Sequence, residues 1–228
     1  MIVTVAHCAP SLAGGLVAVN LALLRARSGR KVLLLDATSA QTCRHWGEER
    51  KRRHIAPMPE VHAVRGSGLP DELERLYPRF SEVVIDTDCR DGRECRSALI
   101  MADVAVVPLA PEQANVDLHY GPIAHLNSAR MFNPGLRVLF VAAGSEHDPA
   151  PHELCALRAY ASQVMSAGMA CTILHLPGRC ASDIESSTGA AEMAALYGEV
   201  YQTGPAVPAP RRSPSPGPTH EPDELLQK

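Results

Sequence analysis

MIVTVAHCAPSLAGGLVAVNLALLRARS, Met1–Ser28, is the stretch that decides the fold. A β-branched run from Met1 to Ala6 is followed by a loop, His7 to Gly14, and then by an apolar helix-forming segment, Gly15 to Ser28, with Gly29 as a C-terminal glycine. A strand, a short loop and a helix start aim backbone N–H groups at one point, the arrangement that cradles phosphate. Such a cradle also takes a lysine on the outer phosphates and a hydroxyl on Mg²⁺. This loop has no lysine; Gly14 and Gly15 stand where those two side chains belong, and Pro10 removes an amide.

Outward from there, short apolar runs recur with helical stretches between them. They are KVLLLD (Lys31–Asp36), EVVIDT (Glu82–Thr87), VAVVPL (Val104–Leu109), LRVLFVAAG (Leu136–Gly144) and ACTILHL (Ala170–Leu176). Nearly continuous apolar strands are the mark of a parallel sheet covered on both faces, so the expected class is α/β, a doubly wound, mostly parallel sheet. Further helices are expected over about 70–77, 92–102, 152–167 and 190–201, the last flanking the first.

The chain has 228 residues, 46% hydrophobic and 21% charged, with a net charge of −3, which suits one globular domain and gives no overall pull toward polyanions. From Thr203 the text turns to TGPAVPAPRRSPSPGPTHEPDELLQK, whose composition cannot offset the entropy of ordering. The expected division is therefore an α/β domain over 1–202 and a disordered proline-rich tail over 203–228. Seven cysteines without a C-x-x-C pair argue against a disulfide framework and a zinc ribbon. With no bilayer-length apolar run and no leader before the first strand, the expected location is cytoplasmic.

In these blocks the chain resembles the ParA/MinD family of deviant Walker-type partition ATPases, and most closely its short plasmid-partition members. The family's strand, KGGxGKT(S/T) loop and xAVNLA helix align without a gap on VTVA, the loop and LVAVNLA (Leu16–Ala22). LLLD (Leu33–Asp36) resembles the strand leading to DxDPQGS, and VVIDT (Val83–Thr87) with the segment Arg90–Asp117 resembles the Walker B region. FNPGLRVLFV and AAEMAALYGEV resemble later segments. The resemblance implies a P-loop-type nucleotide-binding fold and a place in plasmid or chromosome partition or cargo positioning.

Carried across position by position, it also implies losses. The signature lysine falls on Ala9, the phosphate-loop lysine on Gly14, the metal hydroxyl on Gly15 and the second aspartate of DxD on Thr38, while Asp36 and Asp86 keep their acids. Phosphoryl transfer depends on cancelling negative charge, so the implied protein is a pseudo-ATPase with impaired ATP·Mg binding and hydrolysis. No cofactor is expected; ATP and Mg²⁺ enter only if the site has been rebuilt, with Arg90, Arg93 or a partner's arginine supplying charge. The implied partners are a partition or positioning protein, including an intact ParA-like subunit, and any oligomer is ATP-independent.

Each position also has a purely structural reading. Asp36 and Asp86 at strand ends can cap a turn, and Gly14–Gly15 can serve the turn alone. His7–Cys8 and the pair Cys89 and Cys95 lack further ligands at recognisable spacing, so no metal is expected. Arg44, Arg50, Lys51, Arg52 and Arg53 form the concentrated basic run, beside Trp46: a solvated face, or a contact for nonspecific DNA or an acidic partner. The last option makes a nucleotide-independent DNA-binding regulator a third reading.

Overall fold

A computed structural model describes residues 1–7, 12–65, 68–88, 92–116, 120–144, 147–176 and 187–201. Seven strands form one sheet: β1 (Ile2–His7), β2 (Val32–Asp36), β3 (Glu60–Ala63), β4 (Glu82–Asp88), β5 (Val104–Leu109), β6 (Arg137–Ala143) and β7 (Gly168–Leu174). The order is β3-β2-β4-β1-β5-β6-β7, and each described pairing is parallel. The strands alternate with α1 (Leu12–Arg27), α2 (Thr42–Arg52), α3 (Leu69–Leu76), α4 (Arg93–Met101), α5 (Tyr120–Phe132), α6 (Pro151–Ala161) and α7 (Ser187–Tyr201). The doubly wound α/β class expected from the apolar runs is the one observed.

Alternate strand residues feed opposite faces. Val3, Val5, Leu34 and Val84 join α1, α2 and α7 in one core, whereas Leu33, Leu35, Val83 and Ile85 pack with Leu69, Leu73 and Leu76 of α3. A third cluster puts Phe140 and Tyr160 edge to face at 6.0 Å, among Leu99, Ile123, Leu126 and Leu157. Each fully buried leucine contributes about 1.5–3 kcal/mol, so the sheet is a rigid platform for whatever its strand ends carry.

α1 flanks α7, as the sequence suggests: the Arg25 guanidinium donates to the Tyr197 hydroxyl at 3.0 Å, lies 4.5 Å over the Tyr201 ring and pairs with Glu82. Gly29, at φ +81°, ends α1 in the left-handed region.

Other boundaries differ from expectation. α1 begins at Leu12, so Gly14 and Gly15 are inside the helix rather than at its mouth. α6 stops at Ala161 instead of running to 167, because the Val164 and Ala167 amides make turn bonds to Ala161 and Val164 that bury Val164 and turn the chain toward β7. α2, β3 and α5 were not foreseen. The division at 202/203 and the tail lie outside the described residues. No helix among the described residues is long and apolar enough to cross a membrane.

β1 and β4 lie side by side, yet α1 leaves β1 for one face of the sheet while α4 leaves β4 for the other. The carboxyl ends of such a pair open a crevice, the ordinary ligand position of an open α/β sheet. Every retained or lost position of the sequence comparison that is described lies at or near it.

Candidate functional site

Strand register sets the two acids. Asp36, the last residue of β2, and Asp86, two residues before the end of β4, are register partners, and both side chains are fully buried. Asp36 Oδ1 accepts from the Thr38 amide at 3.1 Å and the Thr38 hydroxyl at 2.7 Å; Oδ2 accepts from the Arg44 amide at 3.0 Å, in the first turn of α2. A carboxylate here satisfies a helix amide and meets the positive end of the dipole. Thr38 continues the chain of bonds by accepting from the Gln41 amide, and Gln41 itself is left-handed at φ 52°. Burial pushes the Asp36 carboxyl above its ordinary range, opposed by the bonds from Thr38 and Arg44, with the Asp86 charge adding to the rise.

Asp86 is engaged from two sides. His7 Nε2, at the end of β1, is 3.2 Å from Oδ1, and the Cys43 thiol donates to Oδ2 at 3.1 Å. Burial first, then the Asp86 and Asp36 charges, push the Cys43 thiol far up, so it remains a neutral donor.

The two glycines of α1 meet the same cluster. A Cβ on Gly14 would overlap the His7 ring, 2.5 Å from Cγ and 2.8 Å from Nε2. On Gly15 it would lie 2.5 Å from Thr42 Oγ1 and 3.4 Å from Asp86 Oδ2. The side-chain space of both positions is therefore taken, by residues the sequence reading did not assign to the site. In the sequence His7 suggests only a metal or thiol partner of Cys8, and Thr42 and Cys43 suggest no role at the site. The available signal was two adjacent glycines at positions that carry side chains in the family pattern.

Ala9, with Cys8, Cys89 and Arg90, lies outside the described residues, while Arg93 is exposed at the start of α4. Of the basic run, Arg44, Lys51, Arg52 and Arg53 are exposed; Arg44 bonds Glu48 and Gln41, and Arg52 pairs with Glu49. Arg50 does not belong with them. It is 4% exposed, with its guanidinium 5.2 Å over the Trp46 ring and bonded to the Pro57 carbonyl, so it is part of the packing beneath α2. Among the described residues no group of three or more His, Cys, Asp or Glu side chains is placed to hold a metal ion.

Known structures share this arrangement of strands and helices. A plasmid partition protein from Borrelia burgdorferi superimposes with a TM-score of 0.60 at 15% identity, over 86% of this chain and 95% of its own. The cell division ATPase MinD of Pyrococcus furiosus gives 0.57 at 16% identity, over 87% and 97%. The fold is that of the ParA/MinD partition ATPases. It extends to cobyrinic acid a,c-diamide synthase of Mycobacterium smegmatis, solved with an ATP analogue and magnesium, at a TM-score of 0.54 and 18% identity over 86% and 92%. No protein-family model matches the chain, and no curated protein does.

The ParA/MinD resemblance implies a magnesium-bound triphosphate at the β1–α1 turn, and the residues in place do not fit one. The two side chains that would engage phosphate and metal are absent, their space is filled by His7 and Thr42, and Asp86 already faces two internal partners.

Proposed function

We propose that the chain is a ParA-like pseudo-ATPase, a binding module of a partition or positioning system that keeps the fold and works without ATP·Mg²⁺ turnover. The fold supports the partition-related role. The single observation behind the pseudo-ATPase reading is His7 in the side-chain space of Gly14, where a phosphate-binding lysine would stand. Such a module acts by engaging a partner, a partition protein or an intact ParA-like subunit, and any self-association is independent of nucleotide.

Calorimetric titration with ATPγS and Mg²⁺ tests it. No saturable heat is expected at ligand concentrations up to the millimolar range, and phosphate release from ATP stays at the buffer rate with or without DNA. Micromolar binding overturns the proposal, and turnover establishes a rebuilt ATPase in its place.

A second reading, nucleotide-independent DNA contact, draws on the exposed Lys51, Arg52 and Arg53 at the end of α2. If these three neutralise one phosphate each, affinity for random duplex falls with salt at a log–log slope of about −2.7, roughly 40-fold between 50 and 200 mM. Reversing Lys51 and Arg53 to Glu flattens that slope. Binding that ignores both salt and the reversal excludes this surface.

A further inference from the structure

We infer that His7 and Thr42 are built-in substitutes for the two side chains α1 lacks, and that positions 14 and 15 are glycine because these neighbours occupy their space. In functional meaning this rests on the pseudo-ATPase reading; its geometry stands apart from it.

Two adjacent glycines inside a helix need a reason, since glycine is the poorest helix former after proline. Conformation does not supply one: Gly29 and Gly144 have positive φ, and Gly14 and Gly15 do not. Close approach of a ligand to the backbone is the usual second reason. Here the direction a Cβ would take leads from Gly14 into the His7 imidazole and from Gly15 to the Thr42 hydroxyl beside Asp86. What comes close is the protein itself.

The same cluster surrounds Asp86: the His7 imidazole lies 3.2 Å from Oδ1, and the thiol of Cys43, next to Thr42 in the chain, donates to Oδ2. α2 is fixed at this place because Asp36 accepts its first-turn amide, so Thr42 and Cys43 arrive with a preset orientation. The side-chain space of positions 14 and 15 is taken by residues from two elements, β1 and α2, and adding back a lysine or a threonine to α1 means displacing one of them.

Two double-mutant cycles on the full chain test this, read as thermal midpoints. In the first, Gly14→Ala is made with and without His7→Ala; in the second, Gly15→Ala with and without Thr42→Ala. Alone, each glycine substitution overpacks the cluster and lowers Tm by roughly 3–10 °C. Beside its partner substitution the same change leaves Tm level or raises it, because alanine is the better helix residue. A glycine substitution that shifts Tm equally in both backgrounds overturns the inference for that position. Should His7→Ala not fold, His7→Ser carries the same cycle, and the Thr42 arm is independent of it. Nucleotide binding by the unaltered protein defeats the functional reading and leaves the coupling intact; absent coupling without nucleotide binding defeats the inference alone.

Discussion

Asp86→Ala is expected to destabilise the protein by about 3 kcal/mol, roughly 6–12 °C in Tm for a chain of this size. In a working nucleotidase the corresponding acid is held against repulsion for the sake of a metal, and removing it relieves strain. The expectation here has the opposite sign. Asp86 is fully buried and accepts from the Cys43 thiol at 3.1 Å, with His7 Nε2 3.2 Å away, so its loss leaves the thiol with only the longer contact to the Gly15 carbonyl and opens a small void beside His7. Relief of repulsion from Asp36 works against this, but the weakened thiol contact and the void dominate. Asp86→Asn supplies the control: its amide oxygen still accepts from Cys43 and its side chain fills the void, so most of the stability returns. Urea unfolding of the three proteins reads the result. A stabilised Asp86→Ala would mean that the acid is retained for a ligand after all.

The sheet was legible because its central strands are apolar without interruption: VLLLD, EVVID and VAVVPL admit no other reading at that length. β3 was not legible. EVHA is short, half-exposed and pairs on one side alone, so its pattern carries neither alternation nor an apolar run. α2 was hidden for a different reason. Its buried positions, Cys43, Trp46, Gly47 and Arg50, have regular helical spacing, but one is a glycine lodged against Val61 and another a charged residue packed on a tryptophan. Read as charge the segment is a basic run; read as burial it is an amphipathic helix. In α5, Ile123, Leu126 and Ala129 recur at intervals of three among polar and breaker residues.

At the site, the expected losses rest on motif alignment, and the residues that take up the space were not legible. That Gly14, Gly15 and Thr38 lack the expected groups follows from alignment of short motifs. That His7 and Thr42 fill the gap depends on how β1 ends and on where the α2 N-terminus is pinned, which no local pattern encodes. Other basic residues resolve the same way once their partners are known: Arg137 donates to the Glu199 and Val200 carbonyls at the end of α7, and Arg130 to the Leu136 carbonyl, so both serve helix and loop ends.

Asp36 carries the remaining large effect, and the two halves of its role separate with pH. Asp36→Ala removes the acceptor of two amides and a hydroxyl and frees the start of α2, a loss of about 3 kcal/mol that loosens Trp46 and Cys43 with it. Against that, burial raises the Asp36 carboxyl above its ordinary range, with the Asp86 charge adding to the rise and the Thr38 and Arg44 bonds opposing it. A carboxyl whose folded value is raised binds its proton more readily in the native state than in the unfolded one. Its contribution is therefore full below the ordinary carboxylate range and declines as pH rises through the raised value. The unaltered protein should lose stability relative to Asp36→Asn as pH climbs above that range, the amide having no charge to desolvate. Urea midpoints of the two proteins across pH 4 to 7.5 give the comparison. Parallel profiles would mean that the Thr38 and Arg44 bonds cancel the cost of burying the charge, and a divergence of the opposite sign would mean that they exceed it.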